Sequence, residues 1–185
     1  MPRALCTLSF ALFLILAGCV ARHPPVQAAR PAAVAVAACL GVLDDTAVQP
    51  VPAELSMAIG GLLAARNLSA KPMDPAGYLD PFATRRTTQH RLTLLAEQAG
   101  GVELVLLVET MVSFYSPMNG RFRWTVDVDA TISPAGDLTQ AFSAHFQVPV
   151  FLDHVHEKEV AALTAASPMI ERRLGALLDA YLGGL

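Results

Sequence analysis

The chain has 185 residues, 54% of them hydrophobic and 16% charged, with a formal net charge of −3. That length and apolar content suit one ordinary domain whose core needs no staples, and they leave room for a short extension. Basic residues cluster only at Arg85-Arg86 and Arg172-Arg173, so nucleic acid is excluded as a natural partner.

Arg3 precedes an apolar run from Ala4 to Ala17 that is broken only by Thr7 and Ser9. The run has the layout of a secretory signal, and at about 14 residues it is short of the roughly 20 a spanning helix needs. It ends in Leu16-Ala17-Gly18-Cys19, which resembles the lipobox of bacterial lipoproteins. The resemblance implies cleavage after residue 18, a diacylglyceryl group on the Cys19 sulfur and a further acyl chain, palmitate-like, on its amine. Several acyl chains together give stable membrane anchoring where one gives only marginal binding. Val20 stands where an aspartate often marks inner-membrane retention in enteric bacteria, so the resemblance points to the outer membrane, facing the periplasm. An ordinary secretory signal or an uncleaved anchor would use the same letters.

Removal of residues 1–18 leaves 167 residues, with 12 basic against 16 acidic side chains. Cys6 departs and Cys19 is acylated, so Cys39 is the one mature thiol and no intramolecular disulfide is available. Within "VAVAACLGVL" it reads as a small buried hydrophobe. Residues 19–33, rich in proline and alanine and without periodicity, read as a lipid-anchored tether, and 34–185 as the domain.

Val34–Leu43 has the length and apolarity of a buried strand. Asp44 and Asp45 follow it, as a solvated strand end or as a weak acid–base pair for a hydrolase. The spacing of Leu55, Ile59, Leu62 and Leu63 predicts a helix over Val51–Arg66, with Gly60-Gly61 permitting close packing on a sheet. Asn67–Ala83 carries three prolines and reads as a long irregular loop with room for a short strand near Leu68. A second helix is predicted over Thr88–Gln98, with Leu92, Leu95 and Ala99 facing inward and Gly100-Gly101 ending it.

Val102–Tyr115 is strand-like, and "SPMNG" supplies a turn. In "RFRWTVDVDATI", Phe122, Trp124, Val126, Val128, Ala130 and Ile132 alternate with Arg121, Arg123, Thr125, Asp127, Asp129 and Thr131, so one face is core and the other meets water. After "SPAGD", Leu138–Val148 returns as a third strand with Leu138, Phe142, Phe146 and Val148 on one side. The three strands form an antiparallel meander. Beyond Pro149 the chain enters a helical tail, and Ser167-Pro168 reads as a cap and first turn for a helix striped by Ile170, Leu174, Leu177, Leu178 and Tyr181.

Few residues carry candidate chemistry. His154 and His156, with His145 as a third ligand, could share zinc or copper if the segment is extended; on a helix the two imidazoles diverge by about 200° and the site fails. The competing reading is a polar strand-to-helix junction capped by Asp153. Asp127 and Asp129 share a strand face with Arg121 and Arg123, which suits cross-strand ion pairs or a polar binding surface. Trp124 falls on the core side of the alternation, and Tyr115, beside a turn, is the better candidate for exposure. The sequence holds no GxSxG, phosphate-loop, CxxC or HExxH motif, and it is read as a non-enzyme.

The element order predicts an α/β (α+β) fold: a mixed sheet with a C-terminal three-strand antiparallel meander, helices packed on it and a C-terminal helix. The stretches "VAVAACLGVLDD", "LTLLAEQAGGVELVLLVETMV" and "IERRLGALLDAYL" resemble the small α/β domain of envelope lipoproteins: curli-secretion channel proteins, lipoprotein activators of penicillin-binding proteins, and the N-terminal domain of the Tol translocation protein. That resemblance implies an envelope accessory or binding factor with an envelope protein as partner, and a homo-oligomer through the meander edge is compatible with it. The alternative function is a periplasmic metal-binding protein using His154 and His156.

Overall fold

A computed structural model describes residues 32–42, 48–73, 87–118, 121–153 and 158–184. The signal segment, Cys19, the tether through residue 31, Asp44, Asp45, His154 and His156 lie outside the described residues.

The elements in chain order are β1 (Ala32–Val42), β2 (Val48–Pro50), α1 (Ala53–Ala64), β3 (Leu68–Pro72), α2 (Thr88–Ala99), β4 (Leu104–Met118), β5 (Arg121–Pro134), a short 3-10 turn (Leu138–Gln140), β6 (Phe142–Leu152) and α3 (Glu159–Gly183). The strands form one mixed sheet in the order β2-β1-β4-β5-β6. β1 runs parallel to β4, and β4, β5 and β6 are the expected antiparallel meander. The outer edge of β1 is shared: β3 pairs in parallel with Ala32–Val36, and β2 pairs antiparallel with Cys39–Gly41.

Period-two alternation gives the sheet two faces. Leu40, Leu106, Val108, Val126, Val128 and Ile132 project to one face, where they pack with Leu55, Ile59 and Leu63 of α1 and with Leu163, Ile170, Leu174 and Leu178 of α3. On the opposite face Ala35, Ala37, Cys39, Val105 and Leu107 pack with Leu92, Leu95 and Ala99 of α2. The small side chains of β1 let α2 lie close. Each fully buried leucine or isoleucine contributes about 1.5–3 kcal/mol to this sandwich.

Local chemistry ends the elements where packing stops. Thr87 Oγ1 accepts the amide N–H of His90 at 3.3 Å and caps α2. At the other end Lys71 Nζ donates to the carbonyl of Ala99, and Gly100 and Gly101 take φ of 49° and 69°, the left-handed region glycine enters without cost. Asn67, at φ 56°, turns the chain from α1 into β3. Arg66 ties α1 to α3 through Asp179, with Nε–Oδ1 and Nη2–Oδ2 both at 2.8 Å, and it donates to the carbonyls of Leu62 and Gly175. Those bonds hold the Asp179 carboxyl below its ordinary range.

The short strand expected near Leu68 is Leu68–Pro72, which pairs in parallel with β1, and residues 74–83 of the expected loop lie outside the described residues. Other expectations need correction. The third meander strand starts at Phe142, not Leu138. Asp137 accepts from the Thr139 amide at 3.1 Å and from Gln140 Nε2 at 2.8 Å, which closes a 3-10 turn and sends Leu138 to the α2 side. The strand then continues through Pro149 to Leu152. β6 pairs only with β5 among the described residues, and an edge strand tolerates the missing N–H. A Cβ at Gly60 or Gly61 would meet nothing within 4 Å, so this pair is not a close-packing device.

The last helix starts at Glu159, eight residues before the Ser167-Pro168 pair that looks like its cap. Ser167 is buried, and its hydroxyl donates to the carbonyl of Leu163 at 3.0 Å. Pro168 stands inside the helix. The helix persists because Ala162, Leu163, Ala166, Ile170 and Leu174 form an unbroken buried stripe across it, and that burial outweighs the roughly 3 kcal/mol an interior proline costs. The Pro168 side chain is exposed, so Pro168→Ala should raise the unfolding free energy in urea by about 1–3 kcal/mol. A loss of stability would mean that the helix begins at Pro168.

Candidate functional site

The α2 face of the sheet is only half covered. β4 is buried residue after residue from Leu104 to Val108, then places Glu109 in the next inward position on the α2 side. Strand register sets Cys39, Glu109, Asp129 and His145 in one row across β1, β4, β5 and β6, with Gly41, Met111, Asp127 and Gln147 in the next. The first turn of α2 overhangs these rows with Thr88 and Arg91. Between helix and sheet is a cavity of about 340 Å³, whose lining includes Arg91, Glu109, Asp127, Asp129 and His145.

The lining groups are largely engaged with one another. Arg91 Nη1 pairs with Glu109 Oε1, and both side chains are mostly buried. His145 Nδ1 is 2.9 Å from Asp129 Oδ1, a half-exposed pair. Gln147 Nε2 donates to Asp127 Oδ1 at 2.6 Å. Burial pushes the Glu109 carboxyl above its ordinary range, Arg91 opposes that shift, and the nearby Asp129 adds to it. Burial, and then the Glu109 charge, push the Cys39 thiol up to about 12. The thiol is therefore protonated at neutral pH, with Val108 O as a weak acceptor at 3.8 Å, and it is not a nucleophile.

The residues predicted to form one binding surface separate into two groups. Asp127 and Asp129 line the cavity and pair across the ladder with Gln147 and His145 of β6. Arg123 lies four residues, about 13 Å, along β5 from Asp127, and its guanidinium sits 4.6 Å over the Tyr115 ring. The side chain of Arg121 is outside the described residues. A β-bulge between Phe114 and Ser116 turns out Tyr115, which is 68% exposed as expected. Trp124 is half-buried on the α3 side, edge-on to Phe114 with centroids 5.1 Å apart.

Of the proposed metal ligands only His145 is described, and its Nδ1 faces Asp129. Among the described residues no group of three or more His, Cys, Asp and Glu is placed to hold an ion. Sequence reasoning missed Arg91 and Glu109. The available signal was Glu109 itself, a lone carboxylate inside an apolar strand, which has to find a cation or a cavity.

No family model matches the chain, and no curated protein matches it. Among solved structures it is similar to lipoprotein GNA1162 of Neisseria meningitidis, at 10% identity and TM-score 0.44, over 79% of this chain and 99% of that one. It is also similar to protein CT253 of Chlamydia trachomatis, at 14% identity and TM-score 0.49, over 83% and 99%. A third is the rare lipoprotein B of Shewanella oneidensis, at 10% identity and TM-score 0.34, over 81% and 92%. Bacterial lipoproteins thus stand among the structures it is similar to, and likeness at this level carries no argument about what the chain does.

Arg91→Met leaves the Glu109 carboxylate buried beside Asp129. The variant should lose about 1–3 kcal/mol at neutral pH, most of it regained in Arg91→Met/Glu109→Gln. The folded state holds the Glu109 proton more tightly than the unfolded chain, so stability falls as pH rises from the ordinary carboxylate range through the raised folded value. The fall should be steeper without Arg91, and the deficit should narrow near about pH 4. Urea titrations of the three proteins across pH check this, and a pH-independent deficit would contradict it.

Proposed function

We propose that this chain is a lipoprotein held in a bacterial envelope through acylated Cys19, on the periplasmic side of the outer membrane. Its domain acts there as a non-enzymatic binding or accessory factor in assembly, transport or wall synthesis. The observation that carries the reading is the Leu16-Ala17-Gly18-Cys19 box at the end of a signal-length apolar run, followed by a short Pro/Ala-rich stretch that leads into β1 at Ala32. Among the described residues no helix is long and apolar enough to cross a membrane, and the lipid would supply the attachment.

The cavity under α2 supports recognition over covalent chemistry. Its one thiol is protonated, its most buried carboxylate is paired with Arg91, and Asp127 and Asp129 present oxygens from half-open positions. Such a lining suits a partner that brings hydrogen-bond donors or cations. No specific observation favours metal binding by His145, His154 and His156.

The test is cross-linked affinity capture from a Gram-negative host, with an alkyne-palmitate label, comparing wild type, Cys19→Ala and Asp127→Asn/Asp129→Asn. Wild type should carry the label and enrich an envelope partner; Cys19→Ala should lose both, and the aspartate variant should keep the label and lose the partner. An unlabelled wild type would overturn the anchor, and equal capture by the aspartate variant would overturn the cavity as the recognition surface.

A further inference from the structure

At the far end of the meander Trp124, Val150 and Leu152 still join the α3-side core, but the strands run past the β1–β4 pair. β1 pairs with β4 only as far as Val42 and Val112, whereas β4, β5 and β6 continue to Met118, Arg121 and Leu152. The continuation is aromatic on both sides of the sheet. Phe114, Phe122 and Trp124 cluster on the α3 side, with Phe114 tilted 6.3 Å from Phe122. On the α2 side Tyr115 and Phe151 flank Arg123, which faces Phe151 across the ladder. Phe114 and Phe151 are each 50% exposed and Tyr115 is 68% exposed, an unusual outlay of aromatic surface at one end of a small domain.

Charge is graded in the same direction. Ser113–Trp124 carries Arg121 and Arg123 and no carboxylate, while Asp153 follows β6 at this end. Glu109, Asp127 and Asp129 lie back under α2. Among the described residues Arg123 is held by the Tyr115 ring and not by a carboxylate; its Nε is buried, which leaves its terminal amino groups for an anion.

We propose that this end of the β4–β5 hairpin, framed by Phe114, Tyr115, Arg123, Trp124 and Phe151, seats in the headgroup region of a phospholipid bilayer. A rigid protein partner would meet one face of the sheet, whereas a fluid interface surrounds the end and receives aromatic rings from both faces. Tyr115, with an apolar body and an exposed polar tip, favours that depth, and arginine pairs with lipid phosphate. Reach is sufficient. Thirteen residue steps separate Cys19 from Ala32, a fully extended contour of about 45 Å, against about 41 Å along β4 from the level of Ala32 to Phe114. The anchor and the hairpin end can therefore occupy one bilayer with the sheet upright. The inference rests on the lipid-anchor reading above.

Trp124 is the only tryptophan in the chain and reports on this end. Mature lipidated protein is reconstituted into phosphatidylethanolamine–phosphatidylglycerol vesicles, with and without bromine on the acyl chains, and checked by flotation. Brominated vesicles should cut wild-type Trp124 emission by about half, and the cut should be much smaller in Tyr115→Ser/Phe151→Ser, whose substituted side chains are exposed and leave the Phe114–Trp124 contact in place. Flotation without quenching, or equal quenching in the variant, would overturn the seating while leaving the anchor intact. Failure to float would overturn the anchor and the seating with it. Concentration-dependent shielding of Trp124 from iodide, without bromine quenching, would assign the hairpin end to a second copy of the chain.

Discussion

The fold depends on the burial of the parallel pair β1 and β4 from both sides. Among the described elements this pair is covered on both faces, by α1 and α3 on one and by α2 on the other. Val105, Leu106, Leu107 and Val108 are at most 1% exposed in succession, the continuous apolar run that a doubly covered strand requires. Alanines at 35 and 37 of β1 set how closely α2 can approach. Each other strand inherits its register from this pair, because β3 and β2 divide the outer edge of β1 while β5 and β6 build outward from β4.

The candidate site starts where the double cover of β4 stops. Past Val108 the α2 side of β4 changes from leucine to glutamate, and the helix above supplies the arginine that makes a buried carboxylate tolerable. The cavity is thus the margin of the core, lined by groups that packing has released but solvent has not fully claimed. Further along the same strands, beyond the end of β1, the sheet has lost its neighbour on that edge among the described residues and presents aromatics on both faces. Core, polar cavity and aromatic end follow one another along β4, and the transition points are set by the lengths of α2 and β1.

Legibility in the sequence followed locality. The strict alternation of Phe122 through Ile132 specified both faces of β5, and the bulged Tyr115 beside its turn was readable as exposed. Leu92, Leu95 and Ala99 named the buried side of α2, with Gly100 as its stop. Errors arose where a local signal was outweighed by a distant one. Ser167-Pro168 has the letters of a helix start, yet the apolar stripe from Ala162 onward continues the helix through it. Leu138 has the parity of the β6 core residues, but the carboxylate of Asp137 takes the chain out of the strand. The Arg91–Glu109 pair joins a helix to a strand 18 residues away in sequence, and residue spacing does not encode which cation meets a lone carboxylate. Cys19, on which the proposed localisation rests, lies outside the described residues and is read from its motif alone.

Native-state hydrogen exchange along β4 tests the central claim most directly, because one strand passes through all three environments. The amides of Val105–Val108 should be protected to the level of global unfolding, and protection should fall stepwise beyond Val112, where β1 no longer pairs and neither α2 nor β1 shields the ladder. Uniform protection from Leu104 to Met118 would contradict the account, since it would mean that the far end of the sheet is as firmly held as the doubly covered pair.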